Sequence, residues 1–102
     1  MHMEKIVNMG KLRQIQNKAE KYYTDALQLA IKCFYAEDPN TLKVVLNYSI
    51  FLIENDKSEH AEKLLSSHLD NVEPIIAYLP EPARMNVIPL IKLMQENYDA
   101  FF

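Results

Sequence analysis

The chain has a single glycine among 102 residues, at position 10. That scarcity excludes a glycine-rich phosphate loop and leaves almost no residue suited to the tight turns of β-hairpins. It also has a single cysteine, Cys33. An internal disulfide is therefore excluded, and a reducing compartment is expected. No apolar signal segment precedes Lys5, so a cytoplasmic location is the default expectation. Charge of one sign is missing too: 11 Lys and Arg stand against 14 Asp and Glu, interleaved, for a formal net charge of -3. Such a surface carries no electrostatic footprint for duplex nucleic acid or an anionic membrane, and neither is expected as a partner.

What the chain does have is apolar mass: 49% of its residues are hydrophobic. One domain of this length buries roughly two-thirds of its unfolded surface. Five prolines, six tyrosines and five methionines beside one glycine fit helices joined by short connections, so the fold class is all-α.

The organising stretch runs from Asp38 to Asn55. Asp38 suits a helix N-cap and Pro39 the first helical position. From Leu42 to Ile53 only Lys43, Asn47 and Ser49 are strongly polar, which predicts a central helix covered on nearly all sides and too short to cross a bilayer. Val44, Val45, Ile50 and Ile53 are β-branched, but an apolar run this long, opened by Asp-Pro and lacking a turn residue, favours helix over strand.

Around it the pattern predicts antiparallel helices near residues 11–35, 39–54, 58–79 and 82–102, with residues 1–10 as an N-terminal extension ahead of the domain at 11–102. In the first helix Leu12, Ile15, Ala19, Tyr22, Ala26, Leu29 and Cys33 recur at steps of three and four and are expected to face the core. Cys33 is then a small buried residue and not a nucleophile. Asp56 or Ser58 is expected to start the third helix, whose buried stripe is Ala61, Leu64, Leu65, His68, Leu69 and Val72. Pro74 should kink or restart that helix near Asn71. The last helix, with Pro89 starting or bending it, has Val87, Leu90, Ile91, Met94, Tyr98 and Phe101 as its apolar positions.

Catalytic chemistry is thin. His60 and His68 lie roughly 12 Å apart along one helix, too far to share a metal ion, so no metal site, cofactor or catalytic residue is assigned and an enzyme is not expected. His68 reads as a partly buried core residue and His60 as a surface one; Glu59 and Glu62 form a solvated charged face.

Two asparagines stand out. Asn47 interrupts the most apolar run beside the row Leu46, Ile50 and Glu54, and Asn97 lies in the last helix between Leu93 and Phe101. An amide offers a donor and an acceptor, so two of them facing one groove can clamp the peptide groups of an extended ligand regardless of its side chains. The competing use of each amide is a bond to a neighbouring helix or to its own preceding turn.

The segment Asp-Pro-Asn-Thr-Leu-Lys-Val-Val-Leu-Asn-Tyr-Ser-Ile-Phe-Leu-Ile-Glu resembles a helix of the 14-3-3 family that reads His-Pro-Ile-Arg-Leu-Gly-Leu-Ala-Leu-Asn-Phe-Ser-Val-Phe. Upstream, residues 18–30 resemble the family's preceding helix; downstream, Leu90 to Phe101 resembles its last helix. The resemblance spans residues 18–102, the last four of the family's nine helices, and implies a phosphoserine- or phosphothreonine-peptide-binding adaptor used in signalling.

Carried over position by position, it implies that Asn47 and Asn97 contact the main chain of a bound phosphopeptide, that Leu46, Ile50 and Leu93 line the apolar groove wall, that Glu54 matches a family acid, and that Phe101 replaces a tryptophan. Ala100 and Lys43 stand where the family has leucine and glycine. The family's Arg-Arg-Lys cluster and tyrosine, which hold the phosphate, and its dimerisation helices belong to the part of its pattern that this chain does not match. Lys43 is left as the one candidate for phosphate contact, and phosphate binding by this chain is expected to be weak.

An alternative comes from Ala19, Tyr22, Tyr23 and Ala26 with Tyr48 and Ala61, which also suit the paired helices of tetratricopeptide-type repeats, a scaffold that binds proteins without reading phosphate. On either reading the partners are extended or phosphorylated peptide segments of other proteins. Self-association, or a partner segment missing from this chain, is expected as well, because Tyr23, Leu27 and Phe34 would be left exposed on the first helix.

Overall fold

The computed structural model describes the backbone of residues 2–102 and the side chains of residues 13–102. Four helices form it: α1 (His2–Cys33), α2 (Pro39–Glu54), α3 (Ser58–Ile76) and α4 (Glu81–Phe101). There is no strand among the described residues. The connections at 34–38, 55–57 and 77–80 are short and turn the chain back each time, which makes consecutive helices antiparallel neighbours.

α2 begins as its residues dictate. The Asp38 carboxylate accepts a hydrogen bond from the Asn40 backbone N–H at 2.8 Å, and Pro39 follows with a φ already suited to helix. It ends on a left-handed residue: Asp56 has φ 61°, the Lys57 N–H donates to the Leu52 carbonyl at 2.8 Å, and the Asp56 N–H donates to Ile53. Such a C-terminal motif usually recruits glycine; here an aspartate, one of the few other residues tolerated there, takes the position. Asp56 is thereby used to end α2 and does not cap α3. Ser58 is the first residue of α3 itself, preceded by Lys57 with no side-chain cap.

Two boundaries differ from the sequence pattern by more than two residues. α1 starts at His2 and runs straight through Gly10, because one interior glycine costs about 1 kcal/mol and does not by itself stop a helix. α3 is unbroken through Asn71 and Pro74 and stops at Ile76, three residues early. Proline near a helix end removes only one bond from a ladder about to finish, and the chain continues as turns, Tyr78 N–H to Ile75 and Leu79 N–H to Ile76. Pro89 lies inside α4, which already begins at Glu81.

α2 packs against α1, α3 and α4, and α3 also packs against α4. Its covered residues are Thr41, Leu42, Val45, Leu46, Tyr48, Ser49 and Leu52. One strip, Asn40, Lys43, Asn47, Ile50 and Glu54, stays open to solvent, so the central helix is enclosed on three sides only. The main core joins Leu42, Val45 and Leu46 of α2 to Leu65, Leu69 and Val72 of α3 and to Val87 and Met94 of α4. A second cluster, Tyr48, Leu52 and Ala61, meets Tyr23 of α1, whose ring stands edge-on to Tyr48 at 5.7 Å.

α1 is turned from the expected face. Tyr23 and Leu27 are half-buried against the clusters and Ala30 is buried, whereas Ile15, Tyr22 and Leu29 are exposed and the Cys33 thiol is open to solvent. Two neighbouring stripes of α1 are apolar, and periodicity cannot rank them. The aromatic surface of Tyr48 and Phe51 receives the stripe carrying Tyr23. Of the residues expected to form an exposed patch, only Phe34 is exposed, at 43%. An ion pair between Lys57 and Glu20 adds a tether from α1 to the α2–α3 turn.

His68 reaches across from α3 to the carbonyl of Ala36, 2.9 Å from its Nε2, and pins the α1–α2 connection to the core. Burial holds its pKa below the ordinary 6.5, partly opposed by that hydrogen bond. The unfolded chain therefore binds a proton that the folded chain resists. Stability is fully present above about pH 6.5 and declines as pH falls from there toward the depressed folded value. Denaturant midpoints at pH 7.5 and 5.5 should show this loss in the wild type and a smaller one in His68→Gln; equal losses in both would remove His68 as its source.

Candidate groove between α2 and α4

The open strip of α2 lies next to α4. Residues 43, 47, 50 and 54 follow one another at steps of four, three and four, which places Lys43, Asn47, Ile50 and Glu54 in a single row along the helix. On α4 the row Leu93, Asn97 and Phe101 advances by whole turns of four residues. Where the C-terminal ends of both helices meet, a hollow of about 260 Å³ is lined by Ile50, Ile53 and Glu54 from α2 and by Asn97 and Phe101 from α4.

The structure thus brings together Ile50, Glu54, Asn97 and Phe101. Asn47 lies one turn before Ile50 on the open strip, exposed, and Leu93 is exposed one turn before Asn97. Leu46 departs from expectation: it is 6% exposed and belongs to the core between α2, α3 and α4, so it supports the groove from behind and forms no part of its wall. Ile53 was not among the anticipated residues, although its place three residues after Ile50 and beside Glu54 carried the signal.

Polar side chains elsewhere show how an amide or hydroxyl is consumed locally. Asn55 donates to the Phe51 carbonyl at 2.7 Å, Ser49 to Leu46 at 2.7 Å and Thr41 to Tyr35 at 3.0 Å. Among the described residues, neither Asn47 nor Asn97 makes a side-chain hydrogen bond within the chain. Both amides keep their donors and acceptors for solvent or a ligand.

Charge is distributed unfavourably for an anion at the hollow. Glu54 is the one ionisable residue in its lining. Lys43, exposed, lies eleven residues earlier, roughly 16 Å along the helix axis. A second hollow of about 220 Å³, at the opposite end near Tyr35, Pro39, Leu79 and Asn86, is bordered by Glu37 and Asp38 and is no better suited to phosphate. Among the described residues no group of His, Cys, Asp and Glu could hold a metal ion, and no helix is long and apolar enough to cross a membrane.

No curated protein matches the sequence closely enough to stand as a relative. The family model described as 14-3-3 protein matches residues 3–101. That span takes in all four helices nearly end to end, including the Leu-Asn-Tyr-Ser segment of α2 and the α4 row that faces it across the groove, and on this match the chain belongs to the 14-3-3 family.

Proposed function

We propose that this 14-3-3 family chain binds an extended peptide segment of another protein along the α2–α4 groove, with Asn47 and Asn97 holding the peptide main chain. Ile50, Leu93 and Phe101 supply apolar contact on either side, and Glu54 borders the hollow that receives one ligand side chain. The observation that carries this reading is the pair of amides: Asn97 lines an apolar hollow, Asn47 lies one turn before Ile50 on the open strip that leads to it, and neither amide makes a side-chain hydrogen bond among the described residues. Phosphate adds little to the affinity. Its one basic candidate in the row, Lys43, is exposed, and a single exposed lysine contributes about 0–1 kcal/mol to a charge pair.

Extended chain advances about 3.3 Å per residue, so a peptide with a phosphate at Lys43 must run roughly five residues to reach the hollow at Glu54. Titration of a paired set of phosphorylated and unphosphorylated peptides of that span against the full chain is the test. Asn47→Ala and Asn97→Ala should each weaken binding about fivefold, the equivalent of one net hydrogen bond. Lys43→Ala should narrow a phosphate preference that is itself no more than about fivefold. Unchanged affinity in both asparagine variants would remove the clamp and favour a helical scaffold without main-chain recognition. A phosphate preference of a hundredfold or more would overturn the weak-phosphate part.

A further inference from the structure

We propose that the hollow where α2 and α4 begin is a docking site for an arginine side chain displayed by another protein. Pro39 in its lining lies roughly 22 Å from Glu54 along the α2 axis, and the inference uses neither Asn47 nor Asn97.

The hollow, of about 220 Å³, has a rim of fixed backbone. That rim is the α1–α2 connection, and three contacts tie it down: the Asp38 N–H and the Thr41 hydroxyl both donate to the Tyr35 carbonyl at 3.0 Å, and His68 Nε2 lies 2.9 Å from the Ala36 carbonyl. A ligand therefore meets a site that is already formed. On the other side, Leu79 of the α3–α4 connection and Ala83 and Val87 of α4 supply an apolar wall.

Charge at the hollow has one sign. Glu37 and Asp38 line it, both half-buried, and no lysine or arginine does among the described residues. Asp38 already has a use, because its carboxylate accepts from the Asn40 N–H and answers the positive end of the α2 dipole. Glu81 answers that of α4 from its first turn. Glu37 is left over: among the described residues its carboxylate forms neither a hydrogen bond nor an ion pair. The C-terminal ends of α1 and α3, which lead into the two connections that line the hollow, add partial negative charge. An occupant must bring a cation.

Shape then chooses among cations. Leu79, Ala83 and Val87 offer nothing to a metal ion or a small ammonium, whereas an alkyl stem covers them. Tyr35, 79% exposed, brings an aromatic ring to the same lining. A guanidinium is planar, so it forks onto a carboxylate and stacks on a ring, while the compact ammonium of lysine lacks the fork. Arginine alone carries the stem, the fork and the flat face. Free arginine would also bring an α-carboxylate toward Glu37 and Asp38, a repulsion that is absent when that group is a peptide bond. The source is a protein segment.

NMR titration of the full chain with a blocked Gly-Gly-Arg-Gly-Gly peptide tests this, with circular dichroism confirming unchanged helix content in every variant. Binding in the millimolar range is expected, with backbone shifts centred on residues 35–39 and 79–87. Citrulline in place of arginine, which keeps the shape and removes the charge, should weaken binding about tenfold, and lysine about threefold. Glu37→Gln should weaken it about tenfold and Tyr35→Ala about threefold. Asp70→Asn, in a separate acidic hollow between α3 and α4, should leave it unchanged, and free L-arginine should bind more weakly than the peptide. Absence of binding, equal affinity for the citrulline peptide, a Glu37→Gln chain as good as wild type, an equal loss in Asp70→Asn, or tighter binding of free arginine would each overturn the proposal.

Discussion

Leu65→Ala is expected to lower the unfolding free energy by about 2–5 kcal/mol, a large share of the 5–15 kcal/mol that holds a domain of this size together. Leu65 of α3 is fully buried in the cluster that α3 builds with α2 and α4, so its truncation weakens the packing that joins the three helices. The cavity would open in a cluster that also holds Val45, Leu46, Leu69 and Met94, on helices that cannot all move inward together. Ile31→Ala on α1 is the control: that side chain is 65% exposed, and its loss should change stability by less than about 0.5 kcal/mol. Urea denaturation at low protein concentration, where association adds nothing, measures both. A Leu65→Ala cost near that of Ile31→Ala would mean that the three helices do not close over this position.

Tyr48→Phe is expected to stabilise the chain by about 1–3 kcal/mol. Tyr48 is 1% exposed and packed edge-on against Tyr23 and His60, yet its hydroxyl finds no hydrogen-bond partner among the described residues. A buried polar group left in that state carries most of its desolvation cost, and phenylalanine keeps the ring contacts without it. The same burial, with the Glu20 carboxylate nearby as a smaller cause, pushes the phenol pKa above its usual 10.0. The 14-3-3 helix that α2 resembles carries phenylalanine here, so the extra oxygen is a departure of this chain. Each kcal/mol should raise Tm by roughly 4–8 °C. A lower Tm in Tyr48→Phe would show that the hydroxyl has a partner worth more than its desolvation.

The helices of this protein were legible because their signals are local. Asp38 and Pro39 open α2, Asn55 to Lys57 close it, and the stripe from Ala61 to Val72 is apolar on one face only, so each could be placed from the residues alone. The geometry of the candidate site was legible in part for the same reason: spacing sets Asn47, Ile50 and Glu54 in one row, and the last turns of α4 align Asn97 with Phe101.

What escaped required knowledge of the neighbour. Leu46 is as apolar as Ile50 and stands next to Asn47, but only the position of α3 and α4 decides that it faces inward. Tyr22 and Tyr23 are the same residue type one step apart, and α2 selects Tyr23. Cys33 followed the wrong stripe with Tyr22 for that reason.

Among the described residues α1 rests on α2 alone, and this also shapes how the fold comes apart. Detaching α1 breaks one helix interface, with Tyr23, Leu27 and the Lys57–Glu20 pair at its centre, while α2, α3 and α4 retain all eight buried residues of the main cluster. Detaching α2 breaks three interfaces and empties both clusters. Cooperativity is therefore graded along the chain: α1 can melt as a separate unit below the global transition, and whatever covers its outer face raises the cost of that partial opening without touching the three-helix unit that carries the groove.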